Sequence, residues 1–355
     1  MPNQDLPRFR FLCFGLGATG IYVGAKLLDK GHEVVFVDRP ENVEKVTKAG
    51  LELVLENGEA IHIHKINVVA TIEEALTLGP YEAALFAVKG YDTDRVLKYL
   101  GKYQVALPAF ISLQNGIGNE ARLVHVFGPE KVIPGVMTTS IRRKGPGSAV
   151  VLHERGVGLS GQHTLISAIL AVFNQVGIHA KYYRNAANMK WSKLILNLMT
   201  NASCAILKIT PQEIIADPEL RQVEILAVQE ALHVMEEQNF HLVNLPSYPL
   251  RWLALLMRDG VPPKLRDPIL IRMVNAAWGS HMPLLVQDLR CDRFESEVER
   301  MNGEVVRHAI QSGIEVPVNQ GLHAMLSRIV RGIEDPGIYD HNKEKYLATI
   351  FKQQP

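Results

Sequence analysis

Phe9-Arg10-Phe11-Leu12-Cys13-Phe14-Gly15-Leu16-Gly17-Ala18-Thr19-Gly20 decides the fold. The first six residues form a mostly apolar run suited to a buried strand, and the last six fit the pattern G-x-G-x-x-G. Residues 21–30 then continue with the periodicity of an amphipathic helix. Strand, glycine turn and helix in that order make the opening crossover of a parallel α/β sheet. Each glycine has a physical reason: Gly15 permits the tight turn, Gly17 lets the backbone approach a pyrophosphate, and Gly20 allows close helix–strand packing. Leu16, Ala18 and Thr19 complete the turn. The helix start that follows presents N–H groups and a partial positive charge to phosphate. Alone the hexamer is a weak signal, and a glycine-rich turn without a ligand is the alternative. Its position after a strand and before a helix favours a dinucleotide.

Outward from that stretch, Gly31 ends the first helix as a left-handed cap would, and residues 33–37 read as the second strand. Residues 83–88 and 109–113 are further buried strands, followed by 132–136 and 150–152, apolar on both faces as parallel strands require. From about residue 184 helical periodicity takes over, through 190–206, 219–238, 269–277, 284–312 and 320–334. The expected division is a Rossmann-type dinucleotide-binding domain over 1–183 and a mainly α-helical substrate and catalytic domain over 184–355. The proline-rich stretch 245–268 reads as an irregular excursion between helices, with Trp252 as its core anchor.

Bulk properties narrow the function. At 355 residues the chain is long enough for two cores. A formal net charge of +1 gives no electrostatic reason to expect nucleic acid or a membrane surface. The apolar runs stop short of the ~20 residues a bilayer demands, and the polar Met-Pro-Asn-Gln-Asp start is unlike a signal peptide. Cys13, Cys204 and Cys291 match no metal spacing, and Cys13 and Cys204 read as buried thiols. A soluble protein in a reducing, cytoplasmic compartment, binding no metal, is the expectation.

Two further features carry chemistry. The second strand ends in Asp38-Arg39-Pro40, where such folds read the adenosine ribose. A carboxylate there accepts from the ribose hydroxyls and repels a 2′-phosphate, which favours NAD(H). A guanidinium grips that phosphate, which favours NADP(H). Both readings stay open. In Trp191-Ser192-Lys193-Leu194-Ile195-Leu196-Asn197-Leu198-Met199-Thr200-Asn201, the residues Lys193, Asn197 and Asn201 are spaced i, i+4, i+8 and share one face of an otherwise apolar helix. Buried polar groups need partners, so such a stripe lines a cleft; a surface lysine with two structural asparagines is the alternative. A partly desolvated ammonium can polarise a ketone and give it a proton.

The chain resembles the ketopantoate reductase (2-dehydropantoate 2-reductase) family over nearly its whole length. The matching pieces follow in order: Gly15 to Gly20, Val88-Lys89-Gly90, Gln114-Asn115-Gly116-Ile117-Gly118, the Lys193/Asn197/Asn201 helix, Ser296-Glu297-Val298-Glu299-Arg300-Met301-Asn302-Gly303, and Gly313-Ile314-Glu315-Val316-Pro317. The resemblance implies that an N-terminal Rossmann domain holds NADPH while a helical domain closes over it, with a small 2-keto acid as substrate. It implies that Lys193 is the general acid and that Glu297 hydrogen-bonds the substrate hydroxyl. Asn197 and Asn201 would orient the substrate, and Asn115 would lie near the nicotinamide ribose and the substrate. Lys89 and Arg39 would be the basic cofactor contacts. Taken without the family, Asn115 could equally be a turn residue and Glu297 a solvated helix carboxylate. Family members are often dimeric, which allows a homodimer by analogy. The departures are Leu284 where a serine usually binds the substrate carboxylate, His281 in place of an asparagine, one extra residue between Asp288 and Glu297, and Asp38 itself. They bear on the substrate, and a more apolar pocket wall at Leu284 suggests a different 2-keto acid. A paralogous NADH-dependent 2-hydroxyacid dehydrogenase, or a dinucleotide sensor without catalysis, are the competing readings.

Overall fold

The structure is a computed structural model that describes residues 7–258, 260–278, 282–283, 285–286 and 296–351. Contacts divide it into two compact units, one of residues 1–189 with 245–248 and one of 190–244 with 249–355.

The first unit is built on an eight-stranded sheet. In chain order its elements are β1 (Arg10–Phe14), α1 (Ala18–Asp29), β2 (Glu33–Val37), α2 (Pro40–Ala49), β3 (Leu51–Val54), β4 (Ala60–Ile63), β5 (Asn67–Val69), α3 (Ile72–Thr77), β6 (Ala83–Phe86), α4 (Thr93–Leu100), β7 (Ala109–Ser112) and α5 (Asn119–Phe127). Then come β8 (Val132–Met137), β9 (Ser140–Gly145), β10 (Ser148–His153), β11 (Val157–Ser160), α6 (Ile166–Gln175) and β12 (Ala180–Tyr183). The large sheet runs β12-β11-β8-β7-β6-β1-β2-β5, and β5, β2, β1, β6, β7 and β8 are parallel. β11 is antiparallel to β8. Strand periodicity sorts the core: Phe11, Cys13, Phe36, Leu85 and Ile111 join the cluster on one face, Leu12, Phe14, Val35, Phe86 and Phe110 that on the other.

One expectation is corrected here. The strand read at 150–152 is part of β10 and belongs to a second sheet, ordered β4-β3-β10-β9, in which it pairs antiparallel with β9 and parallel with β3. That small sheet packs on α1, so residues Gly20 to Leu27 are all buried, against both sheets. Part of the proline-rich excursion also belongs to this unit. Arg155 lies over the ring of Tyr248, 4.5 Å from its centroid.

The second unit is helical: α7 (Ala186–Leu198) enters it, followed by α8 (Asn201–Leu207), α9 (Pro211–Ala216), α10 (Pro218–Glu237), α11 (Leu250–Leu256), α12 (Pro263–Trp278), α13 (Asn302–Ser312), α14 (Pro317–Val330) and α15 (Lys343–Phe351). Trp191 fixes the roll of α7. It is 2% exposed, packs tilted against Phe240 with ring centroids 5.6 Å apart and meets the edge of His308 at 5.1 Å. Trp252, read as a core anchor, is 69% exposed instead, because α11 buries Leu250 and Leu253 and turns Trp252 to solvent.

Candidate active site

The strand register lines up the residues of the first unit that the sequence singles out. Phe14 pairs with Val37 on one side and Phe86 on the other, and Phe86 pairs with Ser112, so β2, β1, β6 and β7 end level with one another. Just past those ends stand Asp38 and Arg39, Gly15 to Gly20, Lys89, and Asn115. Ligands of open parallel sheets bind at this carboxyl edge, where the chain leaves a strand in opposite directions.

The turn is shaped by its glycines. Gly15 has φ +99°, in the region that disfavours side chains, and a Cβ at Gly20 would stand 2.0 Å from the Gly15 carbonyl oxygen. The Ile21 N–H closes on the Gly17 carbonyl at 3.0 Å, while Gly17, as N-cap of α1, offers no side-chain acceptor to the first turn. A Cβ at Gly17 would meet only the Ala87 oxygen, at 3.9 Å. Open space over an uncapped helix start fits a pyrophosphate.

Asp38 is half-buried and tied into this turn: its carboxylate accepts from the Leu16 N–H, from its neighbour Arg39 N–H at 2.8 Å and from Asn42 at 2.6 Å. Sequence reading missed that Asp38 pins the glycine turn, since nothing in the pattern shows Leu16 turning its N–H towards β2. The Arg39 side chain is exposed. Gln114 braces the other side, donating to the Val88 carbonyl at 2.9 Å and to Thr93 at 2.8 Å, next to half-buried Lys89. The Asn115 carbonyl accepts from Asn119 at 2.9 Å across a turn in which Gly116 and Gly118 hold positive φ.

The second unit carries the remaining described candidates. Lys193 is half-buried on α7, while Asn197 and Asn201 are 2% and 1% exposed. The single helix read at 190–206 is broken: α7 ends at Leu198 and α8 starts at Asn201, with Thr200 at φ +62° between them. Asn201 therefore does not share a continuous helix face with Lys193. Its side-chain amide reaches back to the Asn197 carbonyl at 2.7 Å, so the two asparagines still meet. The Asn197 amide nitrogen and the Asn201 amide oxygen are buried with no hydrogen-bond partner among the described residues. A buried donor and a buried acceptor in this state are costly in a native protein unless a ligand or an ordered water completes them.

Glu297 is 2% exposed, which overturns the solvated-carboxylate alternative. It opens a short 3-10 turn, Glu297–Arg300, which interrupts the helix read at 284–312 ahead of its described end at 302–312, and Ser296 caps that turn at the Val298 N–H. The turn feeds α13, whose Asn302 donates to Asn319; Asn319 in turn donates to Glu230, which also accepts the Val318 and Asn319 N–H groups. His281, Leu284 and Asp288 lie outside the described residues, as does Cys291. Cys13 and Cys204 are buried free thiols. Among the described residues no cluster of His, Cys, Asp or Glu could hold a metal ion, and no helix is long and apolar enough to cross a membrane.

A parallel sheet with this glycine turn, followed by a helical unit bearing a lysine and buried amides, is the frame of a nicotinamide-dependent oxidoreductase acting on a CH–OH group, the class that the family match gives this chain. The family models for ketopantoate reductase PanE/ApbA and for its C-terminal part match residues 11–160 and 185–330, and the chain belongs to that family. It is 26% identical to the 2-dehydropantoate 2-reductase of Archaeoglobus fulgidus over 332 residues, 92% of this chain and 98% of the relative. Its identity to the 2-dehydropantoate 2-reductase of Pyrococcus horikoshii is also 26%, over 88% of this chain and 94% of that one. Among solved structures, the ketopantoate reductase of Ralstonia eutropha shares the fold with a TM-score of 0.75 at 23% identity, over 91% of this chain and 99% of that one. D-mandelate dehydrogenase with NADH and anilino(oxo)acetate shares it with a TM-score of 0.73 at 17% identity, over 91% of this chain and 99% of that one.

Proposed function

We propose that the protein reduces the C2 ketone of a 2-keto acid to the 2-hydroxy acid, with ketopantoate to pantoate as the leading substrate pair. One observation carries the reading: half-buried Lys193 shares a segment with two buried amides, one with an unpaired donor and the other with an unpaired acceptor. Curated relatives named 2-dehydropantoate 2-reductase support the choice of substrate. Residues 1–183 hold the dinucleotide and residues 184–355 supply the catalytic side chains.

In this reading the nicotinamide ring, when bound, supplies the hydride from C4. The backbone of Gly15, Leu16, Gly17, Ala18, Thr19 and Gly20 holds the pyrophosphate, with Lys89 as a basic contact and Asn115 at the ribose and substrate. Lys193 donates the proton that the carbonyl oxygen needs as negative charge develops on it, so that ketone, hydride and proton give the alcohol. The Asn197 amide donates to a substrate oxygen, the Asn201 amide oxygen accepts from a hydroxyl, and Glu297 accepts from the substrate hydroxyl.

For the cofactor, the position of Asp38 favours NADH. Its carboxylate is fixed at the end of β2 by the Leu16 N–H and Asn42, keeping a negative charge where a 2′-phosphate would lie. Arg39 beside it is exposed and moderates this preference. The same charge, with Leu284 in place of a serine, supports a second reading: an NADH-dependent dehydrogenase of a more apolar 2-hydroxy acid. Initial rates on a panel of 2-keto acids, ketopantoate and bulkier aryl or branched members included, with NADH and NADPH in parallel, separate the two. The first reading expects ketopantoate to give the highest kcat/KM. Nucleotide binding without turnover of any 2-keto acid would point to a sensor and end both.

A further inference from the structure

We propose that Glu224 is a positioning residue for this reaction: its buried carboxylate on α10 fixes the break between α7 and α8 and so sets Asn201 against Asn197. The inference rests on the site reading given above, in which those two amides orient the substrate.

The break is an unusual piece of backbone. Thr200 sits at φ +62°, ψ −14°, a left-handed conformation that β-branched residues seldom adopt. Residues in such conformations persist where their surroundings over-determine them. Here the surroundings are three side chains from three helices. One Glu224 oxygen accepts the Thr200 N–H at 2.6 Å, and the other accepts from the Ser203 hydroxyl on α8. The Ser203 oxygen also meets the hydroxyl of Tyr346 on α15 at 2.6 Å. With the Ser203 hydrogen committed to Glu224, Tyr346 is the donor in that pair. Glu224 is 1% exposed and Tyr346 is fully buried, so water does not compete for these bonds.

The consequence reaches the site in one residue. Asn201 follows Thr200 directly, and its side-chain amide donates to the Asn197 carbonyl, the group that a continuous helix would give to the backbone N–H of residue 201. Straightening the chain at Thr200 would return that carbonyl to the backbone and free the Asn201 side chain to leave. Asn197 lies one helical turn beyond Lys193 on α7. Tyr346 adds a contribution from beyond residue 330, where the family match stops. Burial pushes the Glu224 carboxyl up to about 7, with the bonds from Ser203 and Thr200 pulling the other way. Either protonation state keeps an oxygen for the Thr200 N–H, so the acceptor rather than the charge is the feature the site uses.

The test is steady-state turnover of ketopantoate by the full chain, with nucleotide affinity followed by fluorescence, in E224A, E224Q, N201A, E224A/N201A and E224A/T200G. Misplacing a substrate-orienting group by about an ångström costs on the order of 100-fold, so E224A is expected to lose ~10- to 100-fold in kcat/KM, mostly through KM, with nucleotide affinity unchanged. E224Q keeps an acceptor and should recover to within about threefold of wild type by the same argument. The double variant E224A/N201A should be no worse than N201A, because one change acts through the other. Glycine adopts the left-handed conformation without strain, so T200G should restore both folding and much of the activity to E224A, even where E224A alone folds poorly. Wild-type turnover in E224A beside an impaired N201A, multiplying losses in E224A/N201A, or no rescue by T200G each overturns the proposal. Wild-type turnover in N201A instead overturns the site reading beneath it.

Discussion

The glycine turn and the α7–α8 break are both departures from regular structure at a candidate site, and they are built in opposite ways. At residues 15–20 the unusual backbone is carried by glycine, the local strain is small, and the polar groups aimed outwards belong to the main chain. At residues 199–201 a threonine in a left-handed conformation gives its N–H to a buried carboxylate, and the polar groups without a partner are the buried side-chain amides of Asn197 and Asn201. A phosphate needs several N–H groups and a dipole, which any backbone can give once the side chains are out of the way. A keto acid needs a particular donor, acceptor and proton source, which only side chains give. The first kind of site can be written in local sequence; the second depends on distant residues that hold it.

That contrast predicts how each region breaks. Gly20→Val strikes the first region hardest, because its Cβ would press within 2.0 Å of the Gly15 oxygen. Overpacking of this kind costs about 1–3 kcal/mol, and a loss of nucleotide affinity on the order of 100-fold is expected. Amide exchange should rise at residues 15–38 and stay unchanged on α10. Exchange rising on both would join the regions that the contrast separates.

Glu224→Gln probes the other region through pH. The Glu224 carboxyl stands at about 7 in the fold against an ordinary 4.5, so the native state binds its proton more tightly than the unfolded chain does. The stabilisation linked to that proton is complete below about pH 4.5 and is lost as pH rises through about 7. Above that, the wild type carries a burden of roughly 3 kcal/mol that a glutamine, which does not ionise, escapes. Cys204 and Tyr346, the other titratable groups named at this carboxylate, are themselves pushed well above their usual values by burial and by Glu224, so they stay neutral across this range. Denaturation midpoints should show E224Q gaining on wild type between pH 4.5 and 7 and holding a constant lead beyond. A pH-independent difference would mean that Glu224 does not titrate there.

Asp38→Ala has the smallest expected effect, a shift of about tenfold towards NADPH, the size of one charge contact. The variant also removes the acceptor for the Leu16 N–H, so affinity for both nucleotides should fall slightly. An unchanged NADPH/NADH ratio would leave Asp38 as a brace for the glycine turn alone.

The same contrast explains what could be read from the sequence. Residues 9–20 announce the parallel sheet, because the strand, the glycines and the helix are all local signals. The carboxyl-edge positions of Asp38, Lys89 and Asn115 follow from recognising each strand before them. The small sheet was missed except for β10, since four-residue strands such as Leu51–Val54 and Ala60–Ile63 resemble loop in a mixed pattern. Residues 190–206 looked like one helix because threonine carries no sign of a left-handed backbone. The acceptor of the Thr200 N–H is Glu224, 24 positions on and itself written like a solvated helix residue. Trp252 shows the converse: a large apolar residue reads as core, and the helix turns it outwards.

Measuring turnover and nucleotide binding on the same preparation of Lys193→Ala tests the central claim most directly. The account expects kcat for a 2-keto acid to fall by about 10²–10⁴, the usual contribution of a positioned general acid, while the nucleotide dissociation constant stays within about twofold of wild type. Wild-type turnover in that variant would contradict it.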